Sequence, residues 1–133
     1  DGWGSSAMLY AFVEGLAGVQ DKDKLFRRVR LCPKWISAGV EKAEVKIDYK
    51  SSGAFVRYTY SHTPDQLIIR LSGSYEYVQL SLPVPANYVA GDLSFGGKKK
   101  KYIMASFNQG NYLIADADVS GECDIILDLR KKP

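Results

Sequence analysis

Four groups of residues in this 133-residue chain could do chemistry. Ser61-His62-Thr63-Pro64-Asp65 brings together a hydroxyl, an imidazole and a carboxylate, the components of a nucleophilic triad. The acids of DADVSGECD, residues 116–124, have the composition of a calcium loop. Lys98 to Lys101 form a basic run that could grip phosphates. Eight tyrosines between Tyr49 and Tyr112 could stack on sugar rings if several shared one exposed face.

The residues around each group argue against most of this. His62 is the one histidine in the chain, and Thr63-Pro64-Asp65 is a turn, where a solvated polar residue is expected. In the acidic stretch Ala117 and Val119 alternate with Asp116 and Asp118 as in a strand, and the terminal glutamate of an EF-hand is missing. The lysines follow Gly96-Gly97, which fits a solvated hairpin end, and the net charge of +3 is modest. No nucleic-acid signature accompanies them, so no nucleic-acid partner is expected. Glycines 91, 96 and 97 do not join a strand to a helix, so no phosphate loop is indicated. Cys32 and Cys123 fit either two buried thiols or a bridge between facing strands, and no metal-ligand spacing is visible. The chain thus offers no catalytic constellation and calls for no cofactor or metal. Tyr49, Tyr58 and Tyr60 share parity with apolar core positions, which makes them core residues whose hydroxyls reach the edge of the sheet.

The elements that would hold these residues are mostly strands. Val45, Ile47 and Tyr49 alternate with Lys46, Asp48 and Lys50, and the same rhythm runs through 51–62, 66–74, 75–85, 102–107, 111–119 and 123–129. A further strand is expected within 27–35, ending near Pro33. Ser51-Ser52-Gly53 and Asn108-Gln109-Gly110 are turns between strands. One wet face and one dry face per strand is the pattern of antiparallel sheet. The expectation is a mainly β chain, an antiparallel β-sandwich of seven or eight strands preceded by one N-terminal α-helix.

That helix is unusual. Ser5 and Ser6 are N-cap residues, Gly18 is placed to end the helix, and Glu14 is the one charge between Ala7 and Val19. Met8, Phe12 and Leu16 line one face, Leu9 and Val13 the next, and Tyr10 and Ala17 extend the cover further round. A helix resting on one surface needs an apolar arc of only about 100°. This one calls for neighbours on more than one side. The run is too short and too rich in glycine to cross a bilayer, so no membrane partner is expected. A first residue of Asp1 without a basic leader is not a signal peptide. It fits a start inside a longer polypeptide, or a trimmed or mature terminus.

Gly2-Trp3-Gly4 before a greasy helix, then Gly18-Val19, then an acid-and-lysine link into Phe26-Arg27-Arg28-Val29-Arg30-Leu31-Cys32-Pro33, resembles one particular junction. It is the passage from the last helix of an (α/α)6 barrel into a C-terminal β-sandwich, found in six-hairpin glycosidases of the α-L-rhamnosidase-like group. Gly39-Val40, Val45 to Tyr49, Gly53 to Tyr60 and Leu67 to Gly73 continue the likeness, which covers essentially the whole chain.

The resemblance implies a division at 1–26, the final barrel-type helix and its link, and 27–133, the C-terminal sandwich. It implies an accessory domain of a bacterial glycoside hydrolase, secreted or periplasmic, that packs on and stabilises an absent catalytic barrel through residues 7–17. The two carboxylates that cleave a glycosidic bond would then lie upstream of Asp1. Asp1 and Trp3 would sit nearest the substrate, Asp1 to bind a sugar hydroxyl and Trp3 to stack on a ring. Read from the residues alone, Trp3 is equally a core anchor and Asp1 a favourable charge at a helix start. The alternative is a free-standing carbohydrate-binding module, with a polysaccharide as partner.

Overall fold

A computed structural model describes residues 13–49 and 51–133. Among these residues it contains eleven strands in two sheets. They are β1 (Val19–Asp21), β2 (Arg28–Leu31), β3 (Lys42–Tyr49), β4 (Ala54–His62), β5 (Gln66–Gly73), β6 (Tyr77–Pro83), β7 (Tyr88–Phe95), β8 (Lys98–Lys100), β9 (Ile103–Phe107), β10 (Gly110–Ala117) and β11 (Gly121–Lys131). One sheet has the order β1-β2-β6-β10-β9 and the other β3-β4-β5-β11-β7-β8. Every pairing is antiparallel except β2 with β6, which is parallel.

The alternation in sequence explains how the layers face each other. In β11, Cys123, Ile125, Leu127 and Leu129 are buried while Asp124 and Asp128 are exposed. In β4, Ala54, Val56, Tyr58 and Tyr60 point inward. Across the other sheet the register sets Leu113 beside Leu82, Ala115 beside Leu80, and Ala117 beside Val78. The inward residues of both sheets form one continuous core, which gives each sheet a dry inner and a wetter outer face. Removing these side chains from water stabilises the fold by roughly 1.5–3 kcal/mol for each large aliphatic.

Two parts of the expected architecture are corrected. Among the described residues there are eleven strands and not seven or eight. The additional ones, β1, β7 and β8, are short or lack strict alternation: β7 is exposed at Gly91 and Asp92, and β8 is three lysines. Such strands are held by backbone pairing to a neighbour and leave little trace in the hydropathy pattern. The N-terminal α-helix is the second correction. The described part of that stretch, Val13–Ala17, is a single π-helical turn, and residues 7–12 lie outside the described residues.

The turns behave as their residues require. Asn108 and Gln109 adopt φ of 50° and 63°, the left-handed pair of a two-residue hairpin turn joining β9 to β10. Gly53, at φ 74°, closes the turn between β3 and β4.

Candidate functional site

The point where the N-terminal segment enters the sandwich is built with care. Gly18 has φ of 65°, and a Cβ there would collide with the Cys32 carbonyl, so only glycine fits. The Cys32 amide donates to the Gly18 carbonyl at 2.7 Å, and the Lys34 amide donates to the Leu16 carbonyl at 2.8 Å. These bonds extend the β1–β2 pairing, in which Val19 faces Leu31, backward into the π turn. The stretch that reads as a link in the sequence thus carries a strand of the sheet.

A buried side-chain relay secures the same point. Trp35 Nε1 donates to the Tyr58 hydroxyl at 2.9 Å, and that hydroxyl donates to the Ala17 carbonyl at 2.7 Å. Tyr58, Ala17 and Trp35 are all buried. Burial holds the Tyr58 phenol well above its ordinary pKa, and the Trp35 hydrogen bond partly offsets that rise. β2, the turn after it and β4 therefore converge on residues 16–19, through backbone bonds at the rim and side-chain bonds within the core. Residues 16–19 are thereby tied into the sandwich by hydrogen bonds at its rim and in its core.

The groups singled out in the sequence are scattered. Asp1 and Trp3 lie outside the described residues. His62 ends β4 and is half-buried, with its ring edge-on to Tyr88 at 5.4 Å and its Nε2 buried without a hydrogen-bond partner. The expectation of a solvated turn histidine is therefore corrected; burial also holds its pKa below the usual imidazole value. Asp65 lies beyond it in an exposed turn, its backbone amide held by the Thr63 hydroxyl. Cys32 and Cys123 are free thiols, one beside the five-stranded sheet and one in β11 of the other. The lysine run forms the β7–β8 hairpin, where Lys99 pairs with Asp92 at 3.3 Å in an exposed ion pair, a kind worth little.

The tyrosines divide between core and surface. Tyr58, Tyr60 and Tyr75 are buried, and the Tyr75 hydroxyl donates to the Gly121 carbonyl. Tyr77 and Tyr112 lie on the outer face of the five-stranded sheet. Tyr77 carries the Arg28 guanidinium over its ring at 4.1 Å and donates to Asp116 at 2.6 Å. Tyr112 stacks on Phe107 with centroids 4.2 Å apart. The Tyr49 side chain lies outside the described residues.

The sequence reading missed the Trp35–Tyr58–Ala17 relay and the outward-facing Arg30. Parity places Tyr58 inside, but nothing local says that its hydroxyl meets a carbonyl 41 positions earlier. Arg28 and Arg30 were more accessible: they alternate with buried Val29 and Leu31, which already puts both on one outer face.

The fold defines the protein as a two-sheet, antiparallel-rich β-sandwich. It is similar to part of the α-L-rhamnosidase from Dictyoglumus thermophilum, with a TM-score of 0.59 and 15% sequence identity over 88% of this chain and 13% of that one. At that identity the likeness establishes a shared fold, and the chain spans about an eighth of the rhamnosidase's length. No protein-family model and no curated protein sequence matches the chain.

Proposed function

We propose that the chain is the accessory β-sandwich of a glycoside hydrolase, docking through residues 7–17 on an (α/α)6 catalytic barrel and stabilising it. The observation that carries this reading is the joint at residues 16–19. A domain tethered for independent binding needs a mobile connection. A domain that must hold a larger neighbour in one orientation needs a stiff one, and here the entry point is fixed by two backbone bonds and a buried relay. The oily sequence of 7–17 and the rhamnosidase fold likeness fit the same picture. On this reading the carboxylates that cleave the glycosidic bond belong to the barrel.

The independent carbohydrate-binding module is the weaker reading because four of the tyrosines its platform would need are buried or already occupied, which leaves Tyr112 on its Phe107 partner rather than a face of several tyrosines. Tyr58, Tyr60 and Tyr75 are buried, and Tyr77 is occupied by Arg28 and Asp116.

Amide hydrogen exchange tests the joint. The Cys32 and Lys34 amides are expected to exchange as slowly as those of β2 and β6, because their bonds open only when the sheet opens. Exchange at the rate of an exposed loop would make the connection a flexible tether and overturn the docking role.

A further inference from the structure

We propose that a groove on the outer face of the five-stranded sheet binds a carboxylate-bearing sugar residue, a uronate. The groove has a volume of about 190 Å³ and runs between two walls. β1 and the β2 end supply Gln20, Arg30 and Lys34, and the β9–β10 hairpin supplies Phe107, Asn108 and Tyr112. In the sheet order β6 lies between the strands that carry these walls.

Charge sets the first requirement. Arg30 and Lys34 are the charged residues lining the groove, and both are cationic. Arg30 is half-buried, its Nε is buried without a hydrogen-bond partner, and it forms no ion pair among the described residues. Its neighbour on the same face, Arg28, is by contrast already seated on Tyr77. A partly desolvated guanidinium with a donor to spare matches the two oxygens of a carboxylate, which it can hold bidentately.

The opposite wall sets the second. Phe107 and Tyr112 lie nearly parallel, at 8° and 4.2 Å, and Phe107 is 42% exposed. A stacked aromatic pair held this way offers a flat apolar ledge to a ring with a C–H face. Gln20 and Asn108 add amide groups that both donate and accept, as ring hydroxyls require. A bare phosphate would leave the ledge uncovered, and a hydrocarbon acid would leave the amides unsatisfied. A single uronate ring supplies the carboxylate, the C–H face and the hydroxyls together.

The inference does not rest on the docking role. Titration reads the groove and hydrogen exchange reads the joint, so each can fail while the other stands. The experiment is isothermal titration of the full chain at low salt with a galacturonic acid trisaccharide. A neutral galactose trisaccharide and inorganic phosphate serve as comparisons. Saturable binding of the acidic trisaccharide is expected, with affinity at least tenfold lower in both Arg30→Gln and Phe107→Ala and no binding of the neutral sugar. Phe107 is exposed enough that its alanine variant keeps the fold, so it decides the matter if Arg30→Gln does not fold. Failure of the acidic sugar to bind, equal binding of the neutral sugar, displacement by phosphate at equal concentration, or undiminished affinity in Phe107→Ala would each overturn the site.

Discussion

A single hydroxyl does much of the joining in this protein. Tyr58 accepts from Trp35 and donates to Ala17, so Tyr58→Phe leaves a buried indole N–H and a buried carbonyl unsatisfied. The expected cost is about 1–3 kcal/mol, read as a lower urea midpoint at unchanged slope. Burial also raises the phenol pKa values of Tyr58, Tyr60 and Tyr75 in the folded state. A folded pKa above the unfolded value means that this stability is fully present below the unfolded pKa of about 10 and is lost as pH rises beyond it. Urea midpoints measured across pH 8 to 11.5 are expected to hold steady to about pH 10 and fall above it. A midpoint independent of pH up to 11.5 would contradict buried phenols.

At the level of elements, legibility followed alternation. β4, β5, β10 and β11 could be read because each has one buried and one wetter face and spans several residues. β1, β7 and β8 could not, since short or exposed strands take their identity from a partner. The oily N-terminal stretch invited a helical reading, and its described end is instead a π turn handed directly to β1, because residues 16 and 18 are bonded to the chain after β2. The groove walls come from opposite sides of the five-stranded sheet, so no local spacing could have announced them. β9 raises a different matter. It is an edge strand with Ile103, Met104 and Phe107 exposed at 65%, 48% and 42%. An uncharged apolar edge is a template for pairing with another chain. Ile103→Lys is expected to slow aggregation on warming while shifting stability by less than about 0.5 kcal/mol, as turbidity and urea unfolding would show. Unchanged aggregation would remove β9 from consideration as the sticky edge.

At the scale of the whole molecule, an oily segment precedes a hydrogen-bonded entry point into the sandwich. The sandwich has one core shared by both sheets, and Leu16, Ala17 and Gly18 are bonded into it at the joint. Leu16 packs against the sandwich's own core, whereas Met8, Leu9 and Phe12 make the sequence before the joint oily. On the proposed reading these side chains meet a neighbouring domain, and without it they meet one another. Light scattering on the eluting chain, across a range of concentrations, tests this most directly. The expected mass lies above 14.8 kDa, rises with concentration and returns to the monomer value in Phe12→Glu. A chain that elutes as a monomer at every concentration, with Phe12→Glu behaving identically, would contradict it.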